Sequence, residues 1–406
     1  MRAGSVDGLE GQLRAARFNV YVLTAVQAVL GAAGPLSFAV GSLAGHQLLG
    51  LDKSLSTAPL TGYNIGVAIG AVIIATVSRL IGRQYSFMFG ALALASGGAL
   101  AAFALFRADF WLFALSLLLV GMSSGFTQKI RFAAADVSPS FYKPRAISWI
   151  LAGGMVSAIV GSQLAILAKD LLSPVLFAGS FAALIPIGLI AVGLLSLLKL
   201  PEPVAPTDGT KASTGRPLKD IVLTQRFLTG MICGISTYAL MTFMMTGAPL
   251  AMVVGCGFSP ELATLGIQWH VLAMFAPSFF TGMLITRFGT EKVVAAGLII
   301  LIACAVVAHL GIALWNFWGA LILLGAGWNF GFIGATAMIA SSYRPEEADK
   351  VQGFHDIILF GSVALASFAS GKVFAIYGWS VMNLVIWPVS LTCLVLLFAL
   401  MQRGRR

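Results

Sequence analysis

The sequence predicts an all-α polytopic membrane protein whose twelve transmembrane helices form two six-helix pseudo-repeats. Hydrophobic residues make up 59% and charged residues 10% of the 406 residues, whereas soluble chains carry roughly 25% charge. Twelve continuous apolar runs are each about 20 residues long, the length of one helix across a bilayer. Gly121–Phe126 (GMSSGF) and Gly327–Phe332 (GWNFGF) are similar and each precedes a short charged loop, which indicates an internal repeat.

The predicted helices fall into two groups of six. Helices 1 to 6 are predicted at Phe18–Ser42, Pro59–Leu80, Tyr85–Phe106, Phe110–Ala135, Pro144–Ala168 and Pro174–Leu200. Helices 7 to 12 are predicted at Phe227–Leu250, Glu261–Ile285, Lys292–Leu314, Trp315–Ser341, Lys350–Ile376 and Gly378–Gln402. Pro201–Pro217 is rich in Pro, Gly, Ser and Thr, which predicts a flexible linker. The predicted organisation is therefore a tail (1–17), an N-terminal bundle (18–200), a linker (201–226), a C-terminal bundle (227–402) and a second tail (403–406).

The net charge of +10 is explained by membrane topology. With a cytoplasmic N-terminus, 21 of the 25 Lys and Arg residues lie on the cytoplasmic side, and the opposite side holds Lys53, Arg107, Lys169 and Lys372. This asymmetry follows the positive-inside rule and predicts that both termini are cytoplasmic in a bacterial-type inner membrane. We therefore expect the lipid bilayer as the surrounding partner and no role in nucleic-acid binding.

The residues do not form the patterns of a metal site or an enzyme. The four cysteines at positions 233, 256, 304 and 393 have no CxxC or Cys/His spacing, and we expect neither metal nor disulfide. No nucleophile–base pair or phosphate-binding loop is apparent, so the sequence predicts neither enzymatic activity nor a cofactor.

The turns after helices 2 and 8 carry a family signature. They read SRLIGRQ (Ser78–Gln84) and GMLITRFGTEK (Gly282–Lys292). With the six-plus-six helices, these glycine-containing basic turns resemble the major facilitator superfamily, whose turns have the form GxLxDRxGRR. The second turn fits well, whereas the first retains little beyond Gly82 and Arg83. The family aspartate is absent from both, and Thr286 stands at its position in the second turn.

The resemblance implies transport by alternating access, in which two six-helix halves rock about a site near the midplane. In this family helices 1, 4, 7 and 10 line the cavity, and polar and aromatic side chains on and beside them are the candidate substrate contacts. The alternative for these residues is helix–helix hydrogen bonding and packing. The candidates are Gln27, Tyr63, Asn64, Gln128, Arg131, Tyr238, Trp269, Trp328 and Asn329.

Asp356 is the one acid well inside an apolar run, about 10 Å along helix 11. Ionisable groups within a membrane span are costly and are retained when paired or functional. Asp356 is therefore a candidate proton carrier, or alternatively a structural ion-pair partner for a cation of the other half. Its neighbour His355 is a second candidate, because histidine is the side chain whose unperturbed titration falls near physiological pH. Because successive side chains point about 100° apart on a helix, the two need not act together.

Three cations are candidate gating residues, namely Arg83 and Arg287 in the signature turns and Lys129 at the end of helix 4. Arg131 is expected either to neutralise an anionic substrate or to pair with Asp356 when the cytoplasmic gate closes. The alternative for Lys129 and Arg131 is anchoring at the membrane surface, since both can extend to the cytoplasm at little cost.

The predicted function is secondary active transport of a small organic solute by a monomer, with proton-coupled uptake as the first hypothesis. Few buried charges and several aromatic and amide groups favour a neutral or weakly anionic cargo, and a vitamin such as riboflavin is one candidate. Proton-driven efflux of drugs or metabolites is the first alternative. A receptor or assembly factor that does not transport is the second, and it would retain its function in Asp356→Asn.

Overall fold

The computed structural model describes residues 3–198 and 215–403, and these residues are helical with no strand among them. The chain divides into two compact units. Within the described residues, the first unit comprises 3–48 and 62–198, and the second comprises 49–61 and 215–403. Residues 49–61 belong with the second unit, where the Thr57 hydroxyl accepts a hydrogen bond from the backbone N–H of Gly371 at 3.1 Å.

Helices of the first unit follow the predicted order. Predicted helices 2, 3 and 5 are single helices, whereas predicted helices 1, 4 and 6 are each divided into two segments. In chain order the helices are α1 (Ala3–Leu30), α2 (Ala33–Leu48), α3 (Ala58–Ile81), α4 (Arg83–Phe106), α5 (Phe110–Thr127), α6 (Ile130–Asp136), α7 (Lys143–Ala168), α8 (Ala178–Ala182) and α9 (Leu184–Ser196).

The second unit begins with a short helix ahead of the predicted helix 7. Its helices are α10 (Leu218–Val222), α11 (Gln225–Leu250), α12 (Pro260–Phe275), α13 (Ser278–Phe288), α14 (Thr290–His309), α15 (Leu314–Ala340), α16 (Ala348–Leu384) and α17 (Ile386–Arg403). Predicted helix 8 is therefore broken between α12 and α13, which are bent by 42°. Pro277 lies at this break, and proline has no N–H for the helical ladder and disrupts it.

The helices are long and apolar enough for a multi-pass membrane protein. Ten helical runs of the described residues meet this test, or eleven when α12 and α13 count as one span. One run, Lys350–Arg403, contains 54 residues and would be about 80 Å long as a single helix, more than twice the roughly 30 Å of a bilayer core. Gly378 divides it with a φ of 70°. If this run is counted as two spans, the described residues hold twelve.

The two signature turns have the same backbone conformation. Gly82 joins α3 to α4 with φ 82° and ψ 161°, and Gly289 joins α13 to α14 with φ 90° and ψ 155°. Positive φ at this ψ is accessible essentially to glycine alone. The shared geometry explains why both copies retain this glycine although the residues around it differ.

Glycines bring α3 and α5 into close contact in the first unit. A Cβ at Gly66 would lie 2.0 Å from Leu118 O, and one at Gly121 would lie 1.9 Å from Tyr63 O. The second unit has the same kind of contact at Gly325, where a Cβ would lie 2.4 Å from His270 O of α12. Gly327, which the sequence pattern aligns with Gly121, instead lies against Gly297 and α14. These contacts match Gly121 with Gly325. The repeat that they define is therefore shifted by two residues from the alignment of GMSSGF with GWNFGF.

Part of the predicted flexible linker is held against the second unit. Residues 201–214 lie outside the described residues, but Arg216 donates from its backbone N, Nε and Nη2 to the buried Glu347 carboxylate at 2.8–2.9 Å. Lys350 Nζ donates to Arg216 O. Ile221 of α10 is fully buried in a cluster with Phe227, Met231, Ile339 and Val351. The segment from residue 215 onward is thus fixed by an ion pair and apolar packing.

Candidate functional site

Three aromatic side chains of α11 and α15 form a cluster in the second unit. Trp328 and Phe332 lie one turn apart on α15 and are nearly parallel, with ring centroids 5.3 Å apart and an angle of 17° between the planes. Tyr238 of α11 contacts both edge-on, at 5.4 Å from Trp328 and 5.0 Å from Phe332. All three rings are partly exposed. We call Tyr238, Trp328 and Phe332 the aromatic cluster.

The indole N–H of Trp328 is a donor without an acceptor. Its Nε1 is buried and makes no hydrogen bond to any residue that the structure describes. A buried donor that stays unpaired costs about 1–3 kcal/mol, and buried indole N–H groups usually find a partner. The aromatic cluster therefore combines partly exposed aromatic surface, which suits a planar ligand, with one donor that is buried and unpaired in this structure.

Asn329 follows Trp328 in sequence but faces the broken helix instead. It is fully buried, and its Nδ2 donates to Met274 O at 2.7 Å and to Ser278 Oγ at 2.6 Å. Its Oδ1 lies 2.6 Å from Thr281 Oγ1, whose single proton is shared between this oxygen and Pro277 O at 2.8 Å. The amide of Asn329 is thus bonded to residues on both sides of the break between α12 and α13.

His355 and Asp356 are in direct contact, although successive positions on a helix project about 100° apart. His355 Nδ1 lies 3.0 Å from Asp356 Oδ1, because the imidazole is long enough to bridge the turn between neighbouring positions. The His355 side chain is 9% exposed and that of Asp356 is 41% exposed. His355 Nε2 is buried without a hydrogen-bond partner among the described residues. The pair thus has one buried ring nitrogen and one accessible carboxylate.

Predicted contacts in the first unit lie in different environments. Tyr63 is buried, donates its hydroxyl to Ser124 Oγ at 2.7 Å and packs edge-on against Phe38. Asn64 is also buried, and Gln27 is half-buried. The hydrogen bond of Tyr63 joins α3 to α5, which is the helix–helix role that remained as the alternative for these residues.

The cations and two further predicted contacts lie near helix ends or on exposed faces. Arg83 forms an ion pair of 2.7 Å with Asp136, and both side chains are half-exposed. Arg131 and Lys129 lie over the ring of Phe132 at 4.8 and 5.8 Å. Arg287 lies over its neighbour Phe288 at 5.3 Å. Gln128 and Trp269 are exposed, and Trp269 is not part of the aromatic cluster.

Several residues of these arrangements were not among the predicted contacts. Phe332 stacks on Trp328 at a spacing of four residues, a helical spacing that could have pointed to it. Thr281 and Ser278 hold Asn329 from about 50 residues away, and no local pattern reveals such a contact. Arg226 donates hydrogen bonds to Glu291 and to Thr290 in the second signature turn. The ion pair of Arg226 with Glu291 could not be predicted from a count of charged residues.

The chain is similar to known membrane transporters. The sequence profile of the Major Facilitator Superfamily matches residues 18–277 and 247–406. The riboflavin transporter RfnT of Brucella anthropi is 46% identical over 391 residues, which cover 96% of this chain and 98% of that protein. The MFS-type transporter YddS of Bacillus subtilis is 29% identical, over 94% of this chain and 90% of its own length.

Solved structures share the fold at low sequence identity. A nucleoside transporter, NupG, superposes with a TM-score of 0.70 and 15% identity, over 95% of this chain and 99% of its own. A D-xylose–proton symporter superposes with a TM-score of 0.69 and 14% identity, over 94% and 96% of the two chains. At these identities the likeness concerns the fold alone.

Proposed function

The chain belongs to the major facilitator superfamily, and we propose that within it this protein is a proton-coupled importer of riboflavin. It is a multi-pass secondary transporter and not an enzyme. The proposed cargo rests on the 46% identity with a riboflavin transporter over nearly the full length of both chains. The proposal includes residence in the inner membrane as a monomer, with both termini in the cytoplasm.

The aromatic cluster supports a flavin as cargo. Riboflavin has a planar, electron-poor tricyclic ring that carries carbonyl oxygens and ring nitrogens as hydrogen-bond acceptors. Tyr238, Trp328 and Phe332 offer aromatic surface for such a ring, and aromatic pairs contribute about 0.5–1.5 kcal/mol beyond their area burial. The indole N–H of Trp328 is buried and unpaired in this structure, and a turn of the side chain toward the cargo would give one of these acceptors a partner. We assign the cluster to the tricyclic ring and leave the ribityl chain unassigned.

Riboflavin binding to the purified protein tests this assignment, with quenching of flavin fluorescence as the readout. Trp328→Phe keeps a ring but removes the N–H, and we expect it to weaken binding by about 2- to 12-fold, the value of one hydrogen bond. Trp315→Phe is the matched control, because Trp315 is 75% exposed and outside the cluster. Equal affinity in wild type and Trp328→Phe would remove the indole from the site. Absence of riboflavin binding in the wild type would refute the cargo.

We assign proton coupling to the pair of His355 and Asp356. The carboxylate is accessible, and the buried Nε2 of His355 has a lone pair available in the tautomer whose Nδ1–H donates a hydrogen bond to Asp356. A proton taken up at Nε2 creates an imidazolium that the adjacent carboxylate stabilises. The pair can therefore accept one proton while both groups stay in contact.

The neutral variant Asp356→Asn separates coupling from binding. We expect it to abolish riboflavin accumulation driven by a pH gradient while it preserves counterflow exchange, which needs no net proton movement. Loss of both activities in a folded variant would instead assign Asp356 to binding or gating. Normal accumulation would exclude Asp356 from coupling.

A further inference from the structure

The break between α12 and α13 leaves a loosely packed half-helix. α13 is described throughout, and of its eleven residues only Thr281 is buried. At the break, Pro277 supplies no N–H to the helical ladder. Leu272 O still accepts from Ala276 N at 2.9 Å, but the carbonyls that follow it in the last turn of α12 lose their intrahelical partners. Within a membrane such groups must be satisfied by neighbouring side chains.

Asn329 of α15 meets this requirement with a single side chain. Its two amide hydrogens are directed to Met274 O, in the last turn of α12, and to Ser278 Oγ, in the first turn of α13. Its carbonyl oxygen accepts from the hydroxyl of Thr281, which shares its one proton with Pro277 O at 2.8 Å and is the one buried residue of α13. Three of the four hydrogen bonds that an amide can make are therefore directed to the broken helix.

In the first unit, the position that corresponds to Asn329 is a glycine and therefore has no side chain. Gly121 and Gly325 each lie against a carbonyl of the facing helix, and four residues further on the two helices carry Gly125 and Asn329. A Cβ at Gly125 would lie 2.4 Å from Val67 O and 2.7 Å from Ala71 N, and α3 runs through this region unbroken. At Gly125 the facing helix, α3, is continuous. At Asn329 the facing helix is broken between α12 and α13, and the Asn329 amide is hydrogen-bonded to both sides of the break.

We propose that Asn329 is a positioning residue that holds α13 at its angle to α12, with α13 pivoting at Pro277 when these hydrogen bonds break. α13 ends at Phe288, immediately before Gly289 of the second signature turn, so its angle sets the position of that turn. This role differs from direct contact with the cargo, and it does not depend on the cargo being riboflavin.

Hydrogen–deuterium exchange of the full-length protein in lipid nanodiscs tests this role without any substrate. We expect Asn329→Ala and Thr281→Val each to speed exchange of the 278–288 amides by about 5- to 30-fold, the factor that corresponds to a loss of about 1–2 kcal/mol. Exchange in 260–270 should stay at the wild-type rate. Thr286→Val is the matched control, because its hydroxyl donates to Gly282 O within α13 at 3.0 Å and not to another helix.

The result that overturns the proposal is wild-type exchange of 278–288 in both variants. Thr281→Val keeps the test decisive if Asn329→Ala does not fold. Riboflavin affinity gives a second readout, which we expect to remain within twofold of wild type while turnover at saturating substrate changes. Weaker binding with unchanged exchange would assign Asn329 to the cargo instead. A wild type that binds no riboflavin would refute the proposed cargo and leave the exchange test intact.

Discussion

Gly66→Ala is the substitution for which the structure gives the sharpest expectation of stability. The added Cβ would lie 2.0 Å from Leu118 O and 2.9 Å from the Leu118 carbonyl carbon, and both are backbone atoms that cannot rotate away. Ordinary contact begins at 3.4 Å, so α3 and α5 must separate locally by about 1.4 Å. Overpacking of this kind costs about 1–3 kcal/mol. The same movement strains the hydrogen bond between Tyr63 and Ser124.

Thermal unfolding of the purified protein measures this effect. At about 2–4 °C per kcal/mol for a unit of this size, Gly66→Ala should lower the midpoint by about 2–12 °C. Gly193→Ala is the matched control, because it makes the same change within α9, where no atom lies within 4 Å of the added Cβ. We expect the control to be neutral or slightly stabilising, since alanine favours helix. Equal midpoints for the two variants would refute the close approach of α3 and α5.

Two further predictions concern single contacts. The Arg216 guanidinium holds the pKa of Glu347 below its usual value of 4.5, so the carboxylate stabilises the fold above that value and this contribution is lost only as the pH falls through the lowered pKa. Thermal melts should therefore be insensitive to this group from neutral pH to about pH 5, and Glu347→Gln should lower the midpoint throughout. Tyr63→Phe should cost about 0.5–1.5 kcal/mol of stability, and a loss in Tyr63→Phe/Ser124→Ala equal to the sum of the two single losses would show that the two residues stabilise independently.

The helices themselves were predictable from the sequence because apolar length is a local property. Predicted helix 3 at Tyr85–Phe106 compares with α4 at Arg83–Phe106, and the signature glycine at position 82 explains where it begins. The superfamily was likewise predictable, because a repeat, two basic turns and a charge asymmetry agree.

The broken helix and the aromatic cluster were less predictable because they depend on contacts across helices. Pro277 alone does not decide whether a membrane helix bends or breaks, since neighbouring side chains determine whether the freed carbonyls are satisfied. Here that side chain is Asn329, which the sequence suggested as a substrate contact. The sequence selected Tyr238 and Trp328 separately, and the structure brings them together with Phe332.

The contact register of the repeat was missed for a similar reason. Letter similarity aligned Gly121 with Gly327, but the glycine that meets the facing helix in the second unit is Gly325. Which glycines correspond depends on the face that each helix packs against its neighbour. Because glycine is frequent in these helices, the two possible alignments look equally good in the sequence. The attachment of the linker was missed because Arg216 and Glu347 lie 131 residues apart.

Uptake of radiolabelled riboflavin into proteoliposomes that contain only this protein tests the central claim most directly. We expect accumulation above the external concentration when the outside is more acidic than the lumen, and equilibration without accumulation when the gradient is collapsed. Asp356→Asn should equilibrate riboflavin but not accumulate it. Uptake no faster than in protein-free liposomes, from a preparation that melts cooperatively, would contradict the account.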